Sequence, residues 1–544
     1  MKRASVNQWY LAGICLIATL ILSYVLSSVV FLMGGRIGCW IFPAAAIISL
    51  ATTLALASDK ASKLTIIVSS IATILISVTV CSILVDFSWD GNIYHQESIA
   101  LMLKGWNPFT DPLAKSFWPE YYTGKTYLSA DGVLPTTGHG ALMPWVIHYA
   151  IAVETVGSTI ASATGLIESG KAFGMILAAG TGMLIYGFLA ESKIIADWRR
   201  RLTVTLISVL NPVFICQSLT YYNDYPIYYY LLATIILLIK IGQRRDRWYD
   251  IALMCGVIML AIGTKFNAFF IEGIAIMAGA LWFLITSNNR ALLTAIAVGA
   301  ISLIVGVCII SYHPYVTNLM TAGHPLYPLM GENTFDIMSY NTPERYANHN
   351  RFFGFIDSIS TICLPNYGSR EGGFGPAVTL IMLISLAVII WKRKAVSPAG
   401  YYILGVTVVS LFFFEQSWWA RYIPQLWLIP VVASVYAAQA KKDRWVLWLL
   451  ASAVAVNAIA CSLYPIADSI HLSLQRNRLY DQIEGQTVGV KNCSPQVERH
   501  LNENNIAVEK LPFDTTFTGD SAVIYGNVTD PYYAKILIKS KATN

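Results

Sequence analysis

Residues 64–97 decide the fold of this chain: LTIIVSSIATILISVTVCSILV at 64–85 runs directly into DFSWDGNIYHQE at 86–97. The first part is an uninterrupted apolar run that reaches the roughly 20 residues a helix needs to cross a bilayer. The second part places Asp86, Asp90, His95 and Glu97 immediately behind it. Charged groups at a membrane surface cost free energy unless they bind a partner or a substrate. The segment therefore predicts a functional loop at the mouth of a helix bundle.

The composition supports a membrane protein throughout. Of 544 residues, 56% are hydrophobic and only 12% are charged, whereas soluble domains have about 25% charged residues. The net charge of +6 is modest. No basic helix and no interleaved basic and aromatic stripe is present, so nucleic acid is not an expected partner. The sequence predicts an all-α polytopic membrane protein.

Apolar segments of spanning length recur as far as about residue 467, and the pattern predicts about thirteen transmembrane helices. The predicted spans are 8–33, 38–57, 64–85, 172–190, 202–220, 226–240, 249–264, 268–286, 291–312, 376–391, 400–414, 422–439 and 445–464.

Basic loops predict the orientation, because cytoplasmic loops are enriched in Lys and Arg. All basic clusters are cytoplasmic together if 141–157 is an interfacial helix on the outer side. The alternative, in which 141–157 spans, puts one cluster on the wrong side. The first topology places the N-terminus inside and the C-terminus outside a cell membrane. The clusters lie at 2–3, 60–63, 199–201, 244–247, 290, 392–394 and 441–444.

This topology divides the chain into three parts. Residues 1–63 form two N-terminal transmembrane helices, and 64–465 form the main membrane module with outer loops 86–140 and 312–376. Residues 466–544 form a small extracytoplasmic α/β appendage, with helical patterning near 472–485 and strand-like runs at 487–490 and 522–525.

Three short motifs resemble those of the GT-C superfamily of membrane glycosyltransferases, in particular bacterial relatives of protein O-mannosyltransferases and aminoarabinose transferases. Asp-Gly-Asn-Ile-Tyr-His at 90–95 resembles the acidic motif of the first outer loop, although Gly91 stands where a second acid is common. Gly-His-Pro-Leu-Tyr-Pro at 323–328 resembles a Gly-Asn-Pro-Leu-Tyr-Pro motif. Trp-Ala-Arg-Tyr-Ile-Pro at 419–424 resembles an Arg-Tyr motif that opens a late span.

The resemblance implies a GT-C-like helix bundle that takes a sugar from a polyprenyl-phosphate carrier. The acceptor would be a glycan, a lipid or a protein on the outer face of the cytoplasmic membrane, and membrane lipids would surround the enzyme. Transfer to a hydroxyl group needs a base, for which Asp90 is the candidate. The alternative role of Asp90 is to cap the helix that the sequence predicts after it.

A lipid-phosphate leaving group needs positive charge where its negative charge develops. Arg421 is the first candidate because a forked guanidinium matches phosphate geometry; the alternative is snorkelling among interfacial aromatic residues. Tyr422 stands beside it. Lys265 and Lys171 are further phosphate-binding candidates that can equally be interface anchors.

Seven further residues are candidates for binding the sugar or the acceptor, each with surface solvation, ion pairing or aromatic packing as its alternative. His324 can bind phosphate or a divalent metal, but no paired ligands at helix spacing accompany it. No cofactor is certain. The seven are Asp86, Tyr94, His95, Glu97, Asp224, His324 and Tyr327.

Two other functions compete with this interpretation. An O-antigen-type polymerase or ligase also has many spans, but its main loop is expected to rely on arginines, and this loop is acidic. A transporter or flippase needs ionisable residues at mid-membrane or repeated halves, and the sequence pattern indicates neither.

Overall fold

The computed structural model describes residues 6–117, 143–332, 334, 341–347, 350–439, 441–491, 493–511, 521–523 and 535–537. These residues are mostly helical. The first helices are α1 (Gln8–Leu32), α2 (Ile41–Leu56), α3 (Lys60–Ile83), α4 (Gln96–Leu103), α5 (Met143–Ile147), α6 (Ala152–Thr164) and α7 (Ala172–Ser192). The middle of the chain forms α8 (Trp198–Val209), α9 (Pro212–Gln217), α10 (Tyr225–Gly242), α11 (Trp248–Thr264), α12 (Phe266–Ile285), α13 (Asn289–Val305) and α14 (Tyr312–Ala322). The last helices are α15 (Glu344–Ala347), α16 (Arg351–Ser360), α17 (Val378–Trp391), α18 (Pro398–Phe413), α19 (Leu428–Gln439), α20 (Arg444–Ile483) and α21 (Pro495–Glu503).

Seven helices of the described residues are long and apolar enough to cross a membrane. They are Gln8–Leu32, Lys60–Ile83, Ile167–Ser192, Tyr225–Gly242, Phe266–Ile285, Asn289–Ile310 and Arg444–Ile483. Four shorter apolar helices, α2, α11, α17 and α18, coincide with further predicted spans. The helical membrane architecture agrees with the sequence, and the count of thirteen spans stays a prediction.

Two predicted spans have a different local structure. The segment 202–220 is divided into α8 and α9 by Asn211, whose side chain caps α9 through the Val213 amide. The segment 422–439 starts with the 3-10 helix Pro424–Trp427, and the α-helix begins only at Leu428. Pro212 and Pro424 stand first in α9 and in the 3-10 helix, and a proline ring disfavours helical geometry in the residue before it, here Asn211 and Ile423.

The described part of the segment 141–157 contains α5 and the start of α6 with a break between them, and residues 152–161 of α6 are buried. With its 13 residues, α6 measures about 20 Å, less than the roughly 30 Å hydrocarbon core. The structure therefore gives no continuous spanning helix here.

Three contacts bring basic residues of the described structure next to other loops. Arg290 pairs with Asp246 at 2.6 Å, Lys392 pairs with Asp443, and Arg200 donates to the carbonyl of Ala438 at 2.6 Å. These contacts connect segments that are up to 238 residues apart in the chain. Basic loops that share a cytoplasmic side would lie close together in this way.

The last transmembrane helix leads without interruption into the C-terminal domain. Helix α20 has 40 residues and continues through Pro465, so its length of about 60 Å is twice the hydrocarbon thickness. The domain behind it has α21 and a four-stranded sheet in the order β2-β1-β4-β3. Its strands are β1 (Thr487–Lys491), β2 (Ala507–Leu511), β3 (Ser521–Val523) and β4 (Lys535–Leu537).

Strands β1 and β2 are parallel and α21 connects them, with Thr487 opposite Ala507. Strand β4 is antiparallel to both β1 and β3. Strand β1 was predicted, and β3 overlaps the predicted run 522–525, of which 524–525 lie outside the described residues. Strands β2 and β4 were not predicted. The domain has its own apolar core around Tyr480, Ile483, Val488, Val490, Val497, Leu501 and Ile506.

Candidate functional site

Residues 86–95 form the acidic loop, which ends in a π-helical turn, Gly91–His95, and leads into α4. Asp90 is the residue before this turn, and its side chain makes no capping hydrogen bond. The Ser88 hydroxyl accepts the Gly91 amide instead, at 3.3 Å. The Asn92 side chain donates to the carbonyls of Asp86 and Ser88, both at 2.8 Å. Neighbouring residues thus hold the loop, and the Asp90 carboxylate does not act as the helix cap.

The Asp90 carboxylate instead contacts a residue far away in the chain. Arg421, on the 3-10 helix Ala420–Tyr422, donates from Nη1 to Asp90 Oδ2 at 2.8 Å. The side chain of Arg421 is only 7% exposed and that of Asp90 only 12%. Arg421 Nε is buried and has no hydrogen-bond partner among the described residues. The structure therefore brings the predicted base and the predicted phosphate-binding residue into one buried pair, with a guanidinium donor unused.

A second carboxylate, Asp224, lies near the same guanidinium nitrogen. Its Oδ2 is 3.8 Å from Arg421 Nη1 and accepts from Gln217 Nε2 at 3.2 Å. Its Oδ1 pairs with Lys265, at the junction of α11 and α12. Burial alone would raise the pKa of Asp224, but Lys265 and Arg421 together lower it below its ordinary value. Asp224 is thus an ionised counter-ion that two cations share.

Aromatic rings surround these two cations. The Arg421 guanidinium lies 4.3 Å from the ring centre of Trp419, 4.9 Å from that of Tyr222 and 5.4 Å from that of Tyr422. The Lys265 ammonium is 5.3 Å from the Tyr422 ring centre. Rings at these distances stabilise a cation and exclude water from it. The sequence predicted Arg421, Lys265, Tyr422 and Asp224 for this site, and the structure places them together.

The aromatic cluster continues away from the cations. Trp418 stacks on Trp419 with ring centres 5.2 Å apart, and Tyr346 stacks on Trp418 at 4.7 Å. A second guanidinium, Arg370, lies 4.8 Å from the Trp419 ring centre. These rings connect the site with the segment 312–376, a predicted outer loop, whose helix α16 exposes Phe352, Phe353 and Ile356.

Asp86 lies inside the protein and binds backbone. It is fully buried, and its carboxylate accepts the amides of Ser88 and Tyr221, both at 2.7 Å. Burial raises its pKa to about 6, against the opposing effect of Lys171. Both oxygens are occupied by protein groups. The geometry therefore makes Asp86 a residue that connects the acidic loop to the segment before α10.

Lys171, a predicted phosphate-binding residue, is also engaged within the protein. It is buried, pairs with Glu168 and donates to the carbonyl of Leu84. Glu168 in turn accepts the Asp86 amide at 3.1 Å. This group is separate from the Arg421 pair in its contacts and holds the end of α3 against the start of α7.

His95 and Glu97 face different parts of the protein. His95 Nδ1 pairs with Glu154 of α6, and both His95 Nε2 and Glu154 Oε2 are buried without a partner among the described residues. The Tyr94 ring is half-buried, 4.2 Å from the His95 ring. Glu97 accepts the amide of Gln496 at 3.2 Å, and burial raises its pKa to about 7.

His324 and Tyr327 belong to a turn that is held locally. His324 Nδ1 accepts the Leu326 amide at 3.1 Å. The Tyr327 ring lies 4.8 Å from the His148 ring, and the Asn318 amide group donates to the carbonyls of both residues at 2.8 Å. Across the described ranges, no three His, Cys, Asp or Glu side chains come together as possible metal ligands.

No protein-family model and no curated protein matches this chain. The interpretation of the site therefore depends on the residues themselves.

Several residues at the site were not predicted from sequence. Gln217 orients Asp224, Glu154 pairs with His95, and Gln496 reaches Glu97 from the C-terminal domain. Gln425 is fully buried in the 3-10 helix after Arg421, with both amide atoms unpartnered in the described structure. Glutamines have no motif of their own. The only sequence signal was the position of Gln425 in the run that follows Arg421.

Proposed function

We propose that this protein is an integral-membrane glycosyltransferase of the GT-C type, which moves one sugar from a polyprenyl-phosphate carrier to a glycan, lipid or protein acceptor. One observation supports the proposal above all others. A single arginine with an unused buried donor lies between two carboxylates, 2.8 Å from Asp90 and 3.8 Å from Asp224, inside an aromatic enclosure. Such a site provides a base and a phosphate-binding cation within one contact.

The proposed reaction is a single displacement with inversion at the anomeric carbon. The acceptor hydroxyl oxygen forms the new bond to that carbon while its proton passes to Asp90. The bond between the carbon and the phosphate oxygen breaks, and its electron pair leaves with the polyprenyl phosphate. Asp90 Oδ1 is available for the proton, since Arg421 engages Oδ2. General bases of this kind contribute about 10²–10⁴-fold to rate.

Arg421 and Lys265 would stabilise the charge that develops on the leaving phosphate. The Nε–H of Arg421 can donate to a phosphate oxygen without breaking the Asp90 contact. Asp224 holds both cations by charge, and Gln217 fixes its other oxygen. Because Asp224 is fully buried and paired, its proposed role is to orient the cations rather than to accept the proton.

The proposed topology has thirteen spans, with the N-terminus in the cytoplasm and the site facing the outside or the periplasm. Helix α10 supports it. Asp224 stands directly before this helix, and Asp246 of a basic loop stands four residues after its end. Its 18 residues measure about 27 Å. The site and the basic loops are thus separated by nearly the thickness of a bilayer, and the carrier tail would lie among the spans.

The transporter alternative has one specific observation in its favour. Glu272 lies within α12, is buried, and neither of its carboxylate oxygens has a partner in the described structure. Glu272 is not among the site residues predicted from the sequence. An ionisable group inside a span marks a functional position by default. A translocation path needs a series of such groups, whereas Glu272 is a single carboxyl separate from the Asp90–Arg421 contacts.

Consumption of the donor separates the two functions. The purified protein would be incubated with lipid extracted from source cells that lack its gene, which supplies unconsumed donor and acceptor. We expect release of free polyprenyl phosphate, measured by mass spectrometry. In liposomes, movement of the lipid-linked sugar across the bilayer without release of polyprenyl phosphate would establish the transporter instead.

A further inference from the structure

The C-terminal domain packs directly on the segment that contains Asp90. Gln496, the second residue of α21, donates from its backbone amide to Glu97 at 3.2 Å and from its side chain to the carbonyl of Asn92. These two acceptors lie on successive turns, one in the π-turn after Asp90 and one in α4. A single residue of the domain therefore holds both turns in register.

Other residues of α21 extend the contact along α4. His500 shares a hydrogen bond with Gln96 at 2.8 Å, and both side chains are buried. Glu498 pairs with Lys104 at 2.6 Å. Buried polar contacts of this kind order the groups they connect, because a displaced donor or acceptor would be left unpaired.

The loop on the other side of Asp90 is held by the same part of the chain. Phe87 packs against the apolar core of the C-terminal domain. The amide of Val85 donates to Ser473 at 2.9 Å, on the part of α20 that extends beyond the predicted span. The C-terminal region thus contacts the chain both before and after Asp90.

Arg421, Asp224 and Lys265 are placed by different elements. Arg421 precedes the 3-10 helix Pro424–Trp427, Asp224 precedes α10, and Lys265 lies between α11 and α12. In the described structure, their side chains contact one another, Asp90, Gln217 and aromatic rings. Hence the C-terminal domain contacts the segment that contains Asp90, the proposed base. The membrane bundle holds Arg421, Asp224 and Lys265, which form the phosphate side of the site.

We infer that the C-terminal domain is a positioning element of the enzyme: through Gln496 it fixes the π-turn Gly91–His95 and so sets the place of Asp90 relative to Arg421. This role rests on the proposed function in that Asp90 is taken as the base. Misplacement of a reacting group by about 1 Å can cost about 10²-fold in rate. Substrate binding at Arg421 would be little affected.

The test uses the full-length protein in detergent with three variants. Gln496→Ala removes the side-chain donor, and Gln496→Glu keeps the size but places a carboxylate against Glu97 and the Asn92 carbonyl. Asn502→Ala is the matched control, since Asn502 is exposed on the same helix. Hydrogen–deuterium exchange of peptides covering 91–97 is measured, with peptides from α10 as the internal reference. We expect faster exchange at 91–97 than in the wild type for both Gln496 variants, with the larger increase for Gln496→Glu. Exchange in the Asn502→Ala control should equal that of the wild type.

Turnover provides the second readout. The concentration of active protein, needed to obtain kcat, is measured by the binding of undecaprenyl phosphate. Gln496→Ala should lower kcat about 10- to 100-fold while the donor KM stays within about twofold. Unchanged exchange at 91–97, or equal loss of exchange protection throughout α10, would overturn the positioning role. Faster exchange with unchanged kcat would also overturn it. If Asp90→Asn itself leaves turnover intact, the proposed function fails, while the exchange result still reports separately on the docking.

Discussion

Replacement of Arg421 by lysine tests the phosphate side of the site. The guanidinium uses Nη1 for Asp90 at 2.8 Å, lies 3.8 Å from Asp224, and keeps Nε unused. A lysine ammonium can remain near one carboxylate, but it lacks the planar fork that engages a carboxylate and a phosphate at once. The variant should therefore lose one charge-assisted hydrogen bond, about 1.5–3 kcal/mol. That loss corresponds to roughly 10- to 100-fold weaker binding of undecaprenyl phosphate.

The assay is titration of the purified protein with undecaprenyl phosphate, followed by tryptophan fluorescence, since Trp419 touches the guanidinium. Undecaprenol serves as the ligand without phosphate. Arg345→Lys is the matched control, because Arg345 also lies over a ring, at 4.7 Å from Tyr346, and between Asp357 and Glu371, but its side chain is 50% exposed. Binding by Arg421→Lys within twofold of wild type would contradict a phosphate contact at Arg421. Equal affinity of the wild type for undecaprenol would refute it as well.

Two further predictions follow from the loop and the topology. Cysteine labelling at Asn504 and at Lys125, in intact cells, should report the outside at both positions, and an inside result at either breaks the span assignment. Burial raises the pKa of Glu97 from 4.5 to about 7, although hydrogen bonds from Gln496 and Ser494 and the charges of Lys104 and Lys510 lower it. Docking of α21 is therefore strongest below about pH 4.5 and weakens as the pH rises through about 7. Glu97→Gln should flatten this dependence in exchange at 91–97; an unchanged pH profile in that variant would exclude Glu97 as its source.

The helices and the charge pattern could be predicted from sequence because they depend on local composition. Thirteen apolar segments were recognised, and a helix occupies each of them, although the breaks at Asn211 and before Leu428 move two boundaries. The pairing of Asp90 with Arg421 was expected only as a shared function. Motif resemblance named both residues, but no pattern states that they touch.

The remaining parts of the site depend on contacts between distant segments. Lys171 and Asp86 have the residue types of substrate ligands, yet Glu168 and backbone amides occupy them. Gln496 is 404 residues from Asn92 in the chain, and nothing in the polar C-terminal sequence indicates that its helix docks on the acidic loop. Periodicity predicts which face of an element is buried, but it does not predict the partner.

Turnover of the Asp90→Asn variant decides whether Asp90 is the base. Asparagine has the same size, the side chain is not a cap, and Arg421 retains Asp224 at 3.8 Å, so the variant should fold and bind undecaprenyl phosphate. Asparagine does not accept the acceptor proton. We expect release of polyprenyl phosphate from the lipid extract to slow by at least about 10²-fold at saturating donor. The thermal stability of the variant is checked in the same detergent. Turnover within a few-fold of wild type would contradict Asp90 as the base.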